Sequence, residues 1–262
     1  MIPVLFASIT FFVANMFAKP GVTPGNPTNS VSPISSVSPG NSTSPTVTNP
    51  GNVSPGVTDN PNDNGNTSPS FTSKSEIRYG VPKGYVALTF DDGPGQYTKK
   101  IVDLLVANNI KATFFFVGNM VQGNGDLVKY AADNGMSVQS HSWSHPVFSS
   151  LSESGQSKEV TKTVDLIESY SGTTVTLLRP PYGSMSHWLR NHLSTLNLQV
   201  MLWNRDPRDW AADSSDEIVQ AFKKENPSGG VYVMHEKPLT YKALPRIIEY
   251  LQNKGLKFAV VN

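Results

Sequence analysis

The sequence predicts an α/β protein with a largely parallel sheet, set behind a long tract that has no fold of its own. Three observations lead there. From about Ser75 onward, short apolar, β-branched or aromatic runs alternate with longer stretches of helical periodicity, which is the repeat of a parallel sheet. Several of those runs end on Asp, His or Arg, at the edge where such folds carry their chemistry. Residues 19–74, by contrast, are dominated by Pro, Gly, Ser, Thr, Asn and Val. Such a composition cannot bury enough apolar surface to offset the entropy of ordering it.

Met1 to Ala18 carries no charged side chain and holds the apolar run Leu5–Ala14. It is short for a membrane span, so a secretory signal peptide is expected, with an uncleaved signal anchor as the alternative. The n-region lacks Lys and Arg, and Met16-Phe17-Ala18 is a poor small-x-small cleavage site. Residues 19–74 then read as a disordered, partly polyproline-like linker with a loose Val-Ser-Pro-Gly unit at Val37–Gly40 and Val53–Gly56. The sequons Asn41-Ser42-Thr43, Asn52-Val53-Ser54 and Asn66-Thr67-Ser68 all fall in this tract, which suggests a glycosylated stalk on a secreted eukaryotic protein.

Strands are expected near Tyr85–Phe90, Ala112–Gly118, Met136–Ser140, Val175–Arg179, Gln199–Trp203, Val231–His235 and Lys257–Val261. Helices are expected from Thr98, Asp126, Ser152, Ser186, Ser214 and Leu239. In the first helix Ile101, Leu104 and Leu105 recur at helical spacing and Thr98 is a natural cap. Lys254-Gly255 closes the last one with a basic residue and a C′ glycine. The pattern fits an open doubly wound sheet or an incomplete barrel, and periodicity alone does not choose between them.

Composition narrows the function. With 21 basic and 20 acidic residues the net charge is +1, which is no electrostatic footprint for nucleic acid or an anionic membrane. There is no cysteine among the 262 residues, so any metal must be held by His and carboxylate.

The chemistry gathers at strand ends. The first strand runs into Asp91-Asp92-Gly93-Pro94, two adjacent carboxylates before a turn; the bland reading is a loop opener. His141-Ser142-Trp143-Ser144-His145 follows the third strand, and two His four apart can share a metal, although a lone pair at that spacing also arises by chance. Arg179-Pro180-Pro181-Tyr182-Gly183 follows the fourth, otherwise a proline-stiffened turn with a surface Arg. Asp206-Pro207-Arg208-Asp209-Trp210 follows the fifth, otherwise a salt-bridged loop over a packed Trp. His235 ends the sixth. Five such sets on one edge of a parallel sheet are hard to attribute to turns alone.

Together these motifs resemble, over about Ser75 to Asn262, the polysaccharide deacetylases of the NodB-homology type, carbohydrate esterase family four, which includes chitin deacetylases. The resemblance implies a distorted (β/α) barrel with about seven parallel strands. It implies that Asp92, His141 and His145 bind a divalent metal, zinc in the first place and cobalt as an alternative. It further implies that Asp91 is the general base, oriented by Arg179, and that His235 is the general acid, held and tuned by Asp206. The backbone N–H of Tyr182 would stabilise the oxyanion, and Trp210 and Val233 would wall the acetyl pocket. Val233 stands where the family commonly has Leu, which leaves acyl selectivity open.

The function expected on this basis is removal of N-acetyl groups from N-acetylglucosamine residues of a β-1,4 glycan, with chitin favoured by the glycosylation-prone stalk. Peptidoglycan deacetylation, acetylxylan esterase activity and a catalytically silent wall-binding protein are the alternatives. The expected setting is a secreted monomer, extracellular or in the cell wall, acting on chitin, chitooligosaccharide or a related glycan.

Overall fold

A computed structural model of the chain describes residues 70–71 and 77–262. The expected signal peptide and most of the expected linker lie outside those residues. The strands are β1 (Ser70–Phe71), β2 (Ile77–Arg78), β3 (Tyr85–Gly93), β4 (Thr113–Phe116), β5 (Ser137–Ser140), β6 (Leu177–Leu178), β7 (Gln199–Met201), β8 (Gly230–His235), β9 (Lys257–Phe258) and β10 (Val260–Val261). The α-helices are α1 (Thr98–Ala107), α2 (Gly118–Val121), α3 (Gly125–Asp133), α4 (Glu153–Ser171), α5 (His187–His192), α6 (Ser215–Lys223) and α7 (Pro238–Asn253). Ser152, Ser186 and Ser214 cap α4, α5 and α6 by accepting from backbone N–H groups three residues on.

The main sheet runs β2-β7-β6-β5-β4-β3-β8, with β9 on the amino-terminal part of β3, and every pairing is parallel. Its two ends then meet. β2 wedges between β7 and β8, since Leu202 N–H donates to Arg78 O at 2.8 Å and Val81 N–H to Gly229 O at 3.2 Å. Beyond it, Arg205 bridges Tyr232 directly, and Val233 N–H donates to Arg205 O at 3.1 Å. The sheet therefore closes into a distorted barrel, the option that periodicity left open.

Alternation along the strands sorts the core into two. Val86, Leu88 and Phe90 of β3, Phe114 and Phe116 of β4, and Tyr232 and Met234 of β8 face outward into the large apolar layer under the helices. Ala87, Phe115, Leu177, Met201 and Val231, with Val261, fill the barrel interior. By the same parity Thr89, Asp91, Arg179, Val233 and His235 turn inward, so polar groups follow small or apolar ones up the axis.

The structure departs from expectation in several places; Thr98, for one, is the first helical residue of α1 and not its cap, a position Tyr97 holds without a side-chain bond. The run Ala112–Gly118 is a strand only over Thr113–Phe116, because Gly118 already opens α2, a single turn too short for a periodic signal. The run Val175–Arg179 pairs only at Leu177–Leu178. The expected final strand divides at Ala259: β9 pairs with β3 and β10 with β1. Finally, β1 falls inside the tract assigned to the linker, with Ser70 opposite Val260 and Phe71 opposite Val261, so strand pairing begins ahead of the expected boundary at residue 75.

Candidate active site

Because every barrel strand is parallel, their carboxyl ends share one rim. β3 brings Asp91 to that rim beside His235 of β8, its Cα partner, and the register then shifts between Asp91 and Gly93. Asp92 sits in the shift with φ of 68°, a left-handed conformation that an Asp tolerates better than most residues. The irregularity gives the two neighbours different surroundings. Asp91 stays buried inside the barrel, whereas the Asp92 side chain is 42% exposed and faces the histidines.

Gly93 leaves room here for the Glu236 carboxyl, which any side chain would displace. A Cβ at this position would sit 2.0 Å from Glu236 Oε1. The Glu236 carboxyl accepts from Thr98 Oγ1 at the start of α1, and its Oε1 has no hydrogen-bond partner. Burial pushes the Glu236 carboxyl up to about 8, against the opposing pull of the Thr98 and Gly95 hydrogen bonds.

His141 continues from β5, where its N–H donates to Phe116 O at 2.9 Å. Its Nδ1 lies 2.6 Å from Arg179 O. A carbonyl only accepts, so Nδ1 carries the proton and Nε2 presents its lone pair. Burial pulls the His141 pKa below the ordinary imidazole value, although Asp91 and Asp92 oppose it. The ring is thereby held neutral, as a metal ligand must be. Nε2 is 3.6 Å from Asp92 Oδ1, and His145 Nε2 is 3.3 Å from the same oxygen. Potential ligand atoms of Asp92, His141 and His145 all lie within 4.8 Å of one another, and no other such group of three occurs among the described residues. Two imidazoles and one carboxylate are a donor set that suits zinc and leaves positions for water and substrate.

Arg179 is not the surface residue that a proline-stiffened turn would allow; it is fully buried at the barrel axis. Its Nη1 donates to Asp91 Oδ1 and Thr89 Oγ1, each at 2.7 Å, its Nε to Met201 O at 3.0 Å, and its Nη2 to Leu202 O at 3.2 Å. The guanidinium also lies 4.0 Å over the Phe115 ring. Burial draws its pKa down and Asp91 draws it up; an arginine remains charged in either case. Asp91 is thus held by an ion pair while its other oxygen stands 3.7 Å from His141 Nε2.

His235 is held by Asp209, which corrects the expectation that Asp206 does so. Asp209 Oδ1 is 2.8 Å from His235 Nδ1, and Oδ2 accepts from the His235 N–H at 2.7 Å and from Thr240 Oγ1 at 2.5 Å. Burial works to lower the His235 pKa, but the Asp209 bond and charge, with Asp91 and Asp92 beyond, carry it above the ordinary value. Asp206 instead accepts from the N–H of Arg208, two residues on, at 2.7 Å. That bond is an Asx-type turn ahead of a left-handed Arg208, and it turns Asp209 inward. An Asp preceding Pro and able to close its own turn was the available sequence signal.

The other expected residues fall around this centre. Tyr182 has φ of 58° and sets its ring edge-on to His145, 4.9 Å between centroids. Val233 is inward-facing, two residues below His235. Trp210 follows Asp209 and is half exposed, with the Arg208 guanidinium 5.2 Å from its ring.

A protein-family model described as polysaccharide deacetylase matches residues 78–201. Among curated proteins, a peptidoglycan-N-acetylglucosamine deacetylase of Bacillus cereus is 31% identical over 208 residues, 76% of each chain. The peptidoglycan-N-acetylmuramic acid deacetylase PdaC of Bacillus subtilis is 36% identical over 68% of this chain, which spans only 38% of that longer protein. Among solved structures, a peptidoglycan N-acetylglucosamine deacetylase in complex with a substituted benzamide superposes with a TM-score of 0.68 at 30% identity, covering 71% of this chain and 91% of that one.

Proposed function

The chain belongs to the polysaccharide deacetylase family, carbohydrate esterase family four, and from that premise we propose that it hydrolyses N-acetyl groups from N-acetylglucosamine residues of peptidoglycan. The observation that carries the chemistry is the convergence of the Asp92, His141 and His145 ligand atoms beside the paired Asp91 and His235. The names of the relatives support peptidoglycan as the substrate. The preference for chitin rested on sequons in a tract outside the described residues, and peptidoglycan replaces it as the main reading. A peptidoglycan substrate implies action outside the membrane, in keeping with the expected secretion signal.

Asp92 Oδ1, His141 Nε2 and His145 Nε2 would hold a divalent cation, zinc by the donor set, which when bound polarises an amide carbonyl and lowers the pKa of water. Asp91 acts as general base, taking a proton from the attacking water, with Arg179 fixing the carboxylate. His235 delivers a proton to the departing sugar amine from Nε2, because Asp209 engages Nδ1. Its raised pKa keeps that proton available near neutral pH. The Tyr182 N–H faces the developing oxyanion, and Val233 and Trp210 bound the acetyl methyl group.

The test is acetate release from peptidoglycan, chitin oligomers and acetylated xylan by zinc-loaded protein. Peptidoglycan should be the preferred substrate. Preference for chitin or xylan would overturn the assignment of substrate, and no release from any of the three by protein that holds zinc would overturn the enzymatic reading.

A further inference from the structure

The two histidines of the metal triad are supported unequally. His141 is buried and its Nδ1 is fixed by Arg179 O. The His145 side chain is 28% exposed, and its ring nitrogens have no hydrogen-bond partner among the described residues apart from the contact with Asp92. Beyond edge-on contacts with the Tyr182 and His141 rings, the position of His145 therefore depends on its backbone, and that backbone is strained: Ser142 and His145 both have positive φ, 71° and 59°. Such residues persist only where their surroundings hold them.

Three elements do so. The first turn of α2 donates Gly118 N–H to Ser142 O and Asn119 N–H to Trp143 O, each at 2.9 Å. Ser142 Oγ accepts from His145 N–H at 3.1 Å. Helix α4 supplies the third: Glu159 Oε2 accepts from Ser144 N–H at 2.8 Å, and Oε1 accepts from Ser144 Oγ at 2.7 Å. One carboxylate thus grips both donors of the residue immediately before His145. One turn along α4, Lys162 Nζ lies 3.3 Å from the centre of the Trp143 ring and presses the same loop from outside.

We propose that Glu159 is a positioning residue for the metal site, fixing His145 through Ser144 as the Arg179 carbonyl fixes His141. The inference rests on the metal-dependent reading of the Asp92, His141 and His145 cluster. It gives α4, which contributes no ligand, a direct effect on metal affinity. Partners that orient ligands typically account for about 10–100-fold in metal affinity.

Cobalt(II) titration of the metal-free protein, followed by its visible d–d absorption and by competition with a chelator, tests this without reference to turnover. Glu159→Ala should weaken Co(II) binding by about 10–100-fold and alter the band envelope, since His145 would no longer be held in place. Glu159→Gln can still accept from the Ser144 N–H and donate to its hydroxyl, so it should recover much of the affinity. If Glu159→Ala binds Co(II) as the parent does, with an unchanged spectrum, Glu159 serves only the stability of α4 and the proposal fails, whatever happens to Tm. Should that variant not fold, Ser144→Ala removes the hydroxyl donor alone; a weaker affinity supports the proposal and an unchanged one overturns it. Parent protein that binds no Co(II) would sink the metal-site reading itself, an outcome distinct from parent and variant binding equally.

Discussion

Asp209→Asn keeps the shape of the side chain and removes its charge, at a place where three donors meet two oxygens. His235 Nδ1, the His235 N–H and Thr240 Oγ1 all point at the carboxylate, at 2.8, 2.7 and 2.5 Å. An amide offers one oxygen, so at least one donor must face an NH₂ group. The imidazolium form of His235 would lose a charge-assisted hydrogen bond of about 1.5–3 kcal/mol. At roughly 1.4 kcal/mol per pKa unit, that is a fall of about 1–2 units. The sign follows from the direction of the native shift: His235 now titrates above the ordinary value because of Asp209, so without that charge it loses its proton at lower pH. The alkaline limb of the kcat/KM profile for acetate release should move down by the same amount, and NMR titration of the His235 ring should follow it. Asp206→Asn is the internal control. Its carboxylate bonds the Arg208 N–H and no group of His235, so the limb should stay in place. A limb that moves in Asp206→Asn and not in Asp209→Asn would refute the assignment of the carboxylate.

Two further outcomes follow from buried charge. Arg179→Met keeps much of the stem but leaves Asp91 without its counter-ion, a change that costs about 3–5 kcal/mol; Tm should fall by roughly 6–20 °C for a domain of this size, and a fall below about 2 °C in calorimetry would contradict the pairing. Glu236 has a folded pKa near 8, above that of an unfolded carboxyl, so between about pH 4.5 and 8 the unfolded chain binds fewer protons than the folded one and stability of the metal-free protein declines. Glu236→Gln should remove that decline, gaining on the parent by up to about 1.4 kcal/mol per pH unit in urea unfolding; parallel stability curves for parent and variant would contradict it.

The sequence made legible what periodicity and motif spacing can encode. β3 and β8 are long and apolar enough to be read directly, and Asp91, Asp92, His141, His145 and His235 fall at their ends or after β5. What escaped was tertiary or too short for a period. β1 and β2 are two residues each, and α2 is one turn. Asp206 and Asp209 are equivalent as a pattern; only the Asx-type bond of one and the inward turn of the other separate them. Glu159 lies mid-helix and looks like any solvated helix residue until α4 is laid against the loop after β5. Arg179 was visible as a residue, but its place at the barrel axis is set by strand parity together with closure of the sheet, and the closure depends on Arg205 reaching Tyr232 across a gap that no local signal marks.

The division of each strand into an outward and an inward set has a practical side. Val86, Leu88 and Phe90 look toward the helices, while Thr89 and Asp91, alternating with them, look toward Arg179. Volume-conserving exchanges among the outward residues cost little in a well-packed layer, and they touch the chemistry only through whatever the backbone transmits. Their inward neighbours have no such latitude, because Thr89 and Asp91 accept from the guanidinium and the Phe115 ring packs against it. A library aimed at a hotter-running catalyst should therefore be drawn from the helix-facing layer. The axial residues should be left out of it, because they set the ion pair that holds Asp91.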